Sequence, residues 1–305
     1  MVRSGDTTPV AAVQISPNAE RKEPMSATYT TSENRRVQAA DGTSFAYRDV
    51  GDGDVPVVLF QHFRGNLENW DAPLIDALAV NRRVLTFDNT GVGATSGMTP
   101  HTIAEMAHEA IAFLDALELS KVDLVGFSIG SFVAQEITLT RPDLVRRVVL
   151  ASSAPQGAAG MHGWAKDVIE AVGQRQGSPE GYLSVFYAAS PASQAAGQQS
   201  LQRILGARAE NRDVDTTWQT RQAQYDAVCA WGIPNHALLQ RVGAIEHPVF
   251  IANGDSDPMI LPHYSYLLAG LIPQATLKIY PDAAHGFLFQ HAAEFAADVE
   301  EFLSD

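Results

Sequence analysis

Ten residues from Val122 to Ser131, VDLVGFSIGS, set the tightest limit on what this chain can fold into: an apolar run stops at Gly126 and a serine follows between two glycines. The run fits a strand buried on both faces, and Ser131 to Thr140, SFVAQEITLT, fits a helix that ends before Arg141-Pro142. A strand that turns into a helix over G-x-S-x-G is the sequence mark of a nucleophile elbow. The glycines let neighbouring backbones pass close to a residue held in a strained conformation. A serine hydroxyl is a poor nucleophile at neutral pH, so Ser128 calls for a general base and for hydrogen-bond donors facing it. In the plainer reading Ser128 is a small residue in a strand-to-helix turn, and partners elsewhere in the chain decide between the two.

With 305 residues, 46% of them hydrophobic and 18% charged, the chain can bury the core of one large α/β domain. Asn34 to Ala39 and Phe45 to Asp49 read as an antiparallel edge joined at Asp41-Gly42, and Val55 to Phe60 as the first central strand. Strand patterns then alternate with helix patterns: Arg83 to Phe87, Thr102 to Leu117, Lys121 to Val125, the elbow helix and Val145 to Ala151. His247 to Asn253, Thr276 to Tyr280 and a closing helix over Ala292 to Leu303 complete the series. Such βα repetition predicts a mostly parallel sheet flanked by helices, with the site at the carboxyl ends of the strands. From Gln156 to about Arg241 no strand pattern occurs, and the segment is rich in Ala, Gln, Arg and aromatics. It reads as a helical cap inserted between two core strands. The expected organisation is a flexible leader over 1–33, an α/β core over 34–155 and 242–305, and the cap over 156–241. Among the cap aromatics, Trp164, Phe186 and Tyr187 are candidates for a substrate cavity.

Two later strands end in loops that carry the residue types Ser128 needs. One runs Gly254-Asp255-Ser256-Asp257-Pro258 and the other Pro281-Asp282-Ala283-Ala284-His285-Gly286. His285 is the candidate base, taking the Ser128 proton and returning it to a leaving group. Asp255 and Asp257 compete to orient the ring, with Pro258 favouring a sharp turn after Asp257. A calcium loop is excluded, because Pro258-Met259-Ile260-Leu261-Pro262 stands where further ligands belong. The single cysteine, Cys229, excludes a disulfide framework and a multi-cysteine metal site. No metal and no cofactor are expected.

Taken together these motifs resemble the α/β-hydrolase fold superfamily, and within it the cofactor-free haloperoxidase-like esterases and perhydrolases. The resemblance covers about Asn34 to Leu303 and is loose through the cap. It implies Asp257 as the acid, at the last place of a G-x-x-D turn, with Asp255 capping that turn. It also implies an oxyanion hole made by the backbone N–H of Ile129 and a second N–H from the loop Gln61 to Asn66. Relatives carry His-Gly-Phe-Pro-Gly there. Matching Gly65 and Trp70 without a gap puts Gln61 at the His, His62 at the Gly and Phe63 at the donor position. His62 and Arg64 are candidates to line the pocket, a ring packed under the loop being the alternative for His62. Asp88-Asn89-Thr90-Gly91-Val92-Gly93 and Ser96 match a structural turn of the family. As a dinucleotide fingerprint that turn fails, lacking the third glycine and the helix directly after it.

The expected activity is that of a serine hydrolase cleaving a small to medium, mostly apolar carboxylic ester or lactone through an acyl-enzyme. Perhydrolysis with apparent haloperoxidase activity, carbon-carbon bond hydrolysis and hydroxynitrile lysis use the same three residues. A ligand-binding protein on a hydrolase scaffold is the alternative from another class. Epoxide hydrolases and haloalkane dehalogenases place aspartate at the elbow, where this chain has Ser128. The net charge of −14 repels nucleic acid and anionic membranes, leaving a small molecule as the partner; a homo-oligomer stays open. An apolar patch from Pro9 to Ile15 is too short for a membrane span and poorly formed as a secretory signal, so a cytoplasmic protein starting at Met1 or Met25 is expected.

Overall fold

In a computed structural model of the protein, Met1 and residues 28–207 and 212–304 are described. The expected leader therefore lies outside the described residues from 2 to 27. Its last part is not loose. Tyr29 is buried, its hydroxyl donating to Leu67 O at 2.6 Å and its N–H to Asp76 Oδ1 at 2.7 Å. The boundary expected at residue 33 is corrected accordingly: an aromatic ring able to bury its body and satisfy its hydroxyl ties the chain down before the first strand.

The elements follow in the order β1 (Arg35–Gln38), β2 (Ser44–Val50), β3 (Val57–Phe60), α1 (Ala72–Leu78), β4 (Val84–Phe87) and α2 (Ile103–Ala116). Next come β5 (Val122–Phe127), α3 (Ile129–Thr140) and β6 (Val145–Ala151). Among the described residues five helices are inserted before the sheet resumes: α4 (Lys166–Val172), α5 (Pro179–Phe186), α6 (Pro191–Gly206), α7 (Trp218–Trp231) and α8 (His236–Arg241). The chain closes with β7 (Val249–Gly254), α9 (Pro262–Leu271), β8 (Ala275–Tyr280), α10 (Phe287–Gln290) and α11 (Ala292–Ser304). The eight strands form one sheet in the order β1-β2-β4-β3-β5-β6-β7-β8. Only the pairs made by β2 are antiparallel. Every residue of β3, β4, β5 and β7 is buried, as strands covered on both faces must be. Among the described residues no helix is long and apolar enough to cross a membrane.

The elbow is tighter than its sequence pattern indicates, because β5 runs through Gly126 to Phe127 and α3 starts at Ile129, leaving Ser128 alone between them. A Cβ on Gly126 would run into the backbone of Gly130 and Ser131, and one on Gly130 into the carbonyl oxygens of Phe60 and Gln61. The two glycines thus let α3 descend directly onto the ends of β3 and β5.

Under this end of the sheet lies a buried ion pair, Arg48 with Glu68, both almost inaccessible to solvent. Arg48 also donates through Nε to Asn34 Oδ1 at 2.7 Å and through Nη1 to Leu67 O at 3.2 Å, and its guanidinium lies 4.8 Å from the Tyr29 ring centroid. Arg48→Ala leaves the Glu68 carboxylate buried without its cation. We expect a loss of about 3–5 kcal/mol in urea unfolding, whereas Arg48→Met with Glu68→Leu should lose much less.

Candidate active site

Ser128 occupies the turn with φ 57° and ψ −124°, a left-handed conformation that costs a non-glycine residue free energy. Its N–H donates to Ala151 O at 2.9 Å, which anchors the turn to β6. His285 follows β8, and its ring centroid lies 5.1 Å from that of Phe127, the residue next to Ser128. The His285 Nδ1 and Asp257 Oδ2 are 2.8 Å apart, with both side chains about 1% exposed or less. A carboxylate accepts, so Nδ1 carries the proton in this bond and Nε2 is left as the acceptor of the neutral ring. Asp257 Oδ1 in turn accepts the N–H groups of Met259 at 2.8 Å and Ile260 at 3.0 Å, which locks the carboxylate in place.

Asp255 does something different. It accepts the N–H groups of Asp282 at 3.0 Å and Ala283 at 3.3 Å, holding the loop that presents His285. The two carboxylates that compete in the sequence are thereby separated by geometry: one touches the ring, the other shapes its loop.

Neither the Phe63 N–H nor the Ile129 N–H donates to a protein acceptor among the described residues, although both residues are buried. Buried donors without partners are rare, and an oxyanion hole is one place that requires them. Beside Phe63, the backbone of Arg64 is fastened to the insertion: its N–H donates to Gln224 Oε1 at 2.7 Å and its carbonyl accepts Thr216 Oγ1 at 2.6 Å.

A cavity of about 590 Å³ lies between this loop and the inserted helices, a size suited to a small or medium ligand. His62, Phe63, Phe186, Met259 and His285 form its buried part, and 175–178 with Asp215 its exposed mouth. Ser128, 3% exposed, does not itself line it. His62 and Arg64 line the cavity, as does Phe186. Trp164 and Tyr187, the other two aromatic candidates, do not. Trp164 packs edge-on against Phe63 at 4.9 Å, and Tyr187 faces α6 at Gly197. Both use their large apolar surface to seat the inserted helices. Asn69, Arg175, Tyr182, Met259 and Thr216 were missed as lining residues. Met259 stands next but one to Asp257 and Tyr182 is an aromatic of the inserted segment; the others carry no sequence signal.

His62 is a buried neutral imidazole. Burial pushes its pKa down to about 3, with His285 nearby adding to the effect against a bond to the Phe63 carbonyl. Its Nδ1 donates to that carbonyl at 2.9 Å, and its ring lies 5.3 Å from Phe127 and 5.2 Å from Phe186. It shapes the floor of the cavity without taking up charge at working pH.

Asp88 and Asp213 join the core to the segment ahead of α7. Asp88 accepts the Leu67 N–H at 2.8 Å and the Ala94 N–H at 3.3 Å, and a Cβ on Gly93 would meet the Oδ2 atoms of both aspartates. Burial first, then the close approach of the Asp213 carboxylate, raises the Asp88 carboxyl well above its ordinary value of 3.8. Between that value and the raised one the folded chain keeps a proton that the unfolded chain releases. This stabilisation is complete below 3.8 and is lost as pH rises through the raised value. Asp88→Asn, whose amide can donate permanently to Asp213, should remove this loss from a plot of unfolding free energy against pH above 3.8.

A family model described as the alpha/beta hydrolase fold matches residues 55–292. The chain belongs to the alpha/beta hydrolase fold family. An alpha/beta hydrolase fold protein from Chitinophaga pinensis is 34% identical, with a TM-score of 0.85 over 90% of this chain and 98% of that one. The non-heme chloroperoxidase of Streptomyces lividans is 25% identical over 284 residues, 88% of this chain and 98% of that protein. A Mycobacterium tuberculosis protein provisionally named a non-heme bromoperoxidase is 37% identical over 108 residues, 35% of this chain. That match spans 41% of the curated relative, less than half its length. The chain is thus an alpha/beta hydrolase fold protein, similar to proteins named non-heme haloperoxidases.

Proposed function

We propose that this hydrolase cleaves a small to medium carboxylic ester or lactone through an acyl-enzyme on Ser128. The observation that carries the reading is the buried bond between Asp257 and His285, which leaves Nε2 as the acceptor of a ring packed against Phe127, the residue before a serine on a strained turn. In the proposed reaction Ser128 Oγ bonds to the substrate carbonyl carbon while its proton passes to His285 Nε2. The N–H groups of Phe63 and Ile129 receive the oxyanion. Collapse breaks the bond to the alcohol oxygen, which takes the proton from His285. Water then attacks the acyl-enzyme by the same route and frees the acid. The inserted helices act as the cap over this site.

The experiment is covalent labelling. A fluorophosphonate probe should modify the protein on the peptide that holds Ser128, read by mass spectrometry, and p-nitrophenyl acetate should protect against it. Absence of labelling, or labelling elsewhere, overturns the reading. A second reading is favoured by the likeness to proteins named haloperoxidases: hydrogen peroxide in place of water attacks the acyl-enzyme, releasing a peracid and free Ser128. Peroxide-dependent halogenation that is lost together with esterase activity on Ser128 labelling would support it.

A further inference from the structure

We propose that the natural substrate carries a free carboxylate in addition to its ester or lactone, and that Arg64 binds it, with Arg221 behind and Arg175 at the mouth of the cavity. This deepens the hydrolase reading of the same site and rests on it.

Many arginines in the fold have carboxylate partners. Arg48, Arg82, Arg83, Arg146, Arg203 and Arg241 each pair with a carboxylate. The chain has 35 acidic residues against 21 lysines and arginines, so carboxylates are not in short supply. Yet among the described residues neither Arg64 nor Arg221 forms an ion pair. Arg221 is 5% exposed and its Nε has no hydrogen-bond partner. Its guanidinium is held among the rings of Tyr225 at 4.7 Å, Trp218 at 4.9 Å and Phe63 at 5.6 Å. Arg64 donates Nη1 to Gln174 O at 2.7 Å and Nη2 to Arg175 O at 3.2 Å, both uncharged acceptors. That leaves its Nε–H and one N–H on each terminal nitrogen for a ligand.

The two guanidiniums also oppose each other. Burial and the charge of Arg221 both disfavour the protonated form of Arg64, and Asp215, exposed at the cavity mouth, is the carboxylate that acts against them. Arg175 lines that mouth with its guanidinium 5.2 Å from the Trp218 ring. Like charges held together, partly out of water and without an ion pair, cost free energy in the empty protein. An anion in the cavity removes that cost, and a carboxylate matches the planar fork of arginine donors. Arg64 directly follows the proposed oxyanion donor Phe63, so an anchored carboxylate would also fix the position of the scissile carbonyl.

Two pairs of esters test this, one with the carboxylate on the acyl side and one on the alcohol side: monomethyl glutarate against dimethyl glutarate, and acetoxyacetate against its methyl ester. In at least one pair the acid should exceed its neutral partner in kcat/KM by about tenfold to a hundredfold, the span of a charged hydrogen bond. Arg64→Gln or Arg175→Gln should bring that ratio toward one. The ratio is the readout because Arg64→Gln can shift the oxyanion loop and slow both esters together. Calorimetry on Ser128→Ala supplies a reading without turnover: the acids should bind more tightly than their neutral esters, and added sodium chloride should weaken them. Equal kcat/KM within both pairs, equal binding to Ser128→Ala, or a ratio unchanged in both arginine variants overturns the proposal. Selective binding of the acids by Ser128→Ala with no ester turnover in the wild type upholds the carboxylate site and overturns the hydrolase reading instead.

Discussion

Replacing Ser128 with alanine is expected to lower ester turnover by roughly a millionfold while leaving the fold intact. The hydroxyl makes no capping bond to its own helix, so its removal strips nothing from the structure. Alanine keeps the Cβ, so the strain at φ 57° is unchanged. What disappears is the atom that forms the acyl bond. A residual rate should persist, because the Phe63 and Ile129 donors still face the carbonyl. Steady-state kinetics with p-nitrophenyl acetate, beside a urea unfolding curve that overlays the wild type, checks both halves. A loss of only tenfold, or a parallel collapse of stability, would show that Ser128 is a packing residue.

Asp257→Asn should cost about ten-thousandfold in kcat through a change of tautomer. The orientation of the new amide is not free. Oδ1 accepts two backbone N–H groups, from Met259 and Ile260, so the asparagine must keep its oxygen there and turn its NH₂ toward His285. Facing a donor, His285 Nδ1 has to become the acceptor, which moves the ring proton to Nε2, the nitrogen that should receive the proton of Ser128. The variant should fold normally, since the side chain is isosteric and its backbone bonds survive. Asp255→Asn is the matched control. It keeps one of the two oxygens that accept from the His285 loop, at Oδ2 for Asp282 or Oδ1 for Ala283, and touches no imidazole, so its kcat should fall less. Equal losses in the two variants would remove the special role of Asp257.

Much of this is legible in the chain because the relevant forces are local. β3 and β5 announce themselves as VVLF and VDLVGF, apolar runs that only a doubly covered strand can bury, and the elbow announces itself in the spacing of Gly126, Ser128 and Gly130. The leader boundary was misplaced because Tyr29 is an isolated aromatic with no periodic neighbours to mark it. Trp164 and Tyr187 were placed in the cavity on residue type alone, and type does not say which face of an insertion a ring will cover. Phe186 was placed by the same argument, and the fold turned its ring toward His62 and His285.

The sequence by itself determined the parallel sheet, the strand-end positions of Ser128, Asp257 and His285, and the break in the βα rhythm where the helices are inserted. These follow from apolar periodicity and from backbone angles that glycine and proline permit over a few residues. Only the tertiary structure decided which aspartate meets the imidazole, which N–H groups are left without acceptors, and which arginines have no carboxylate. Arg64 reaches Gln174 and Gln224, more than a hundred residues away. Contacts across such separations depend on how the inserted helices settle on the sheet, and a pattern of neighbours along the chain carries no record of that distance.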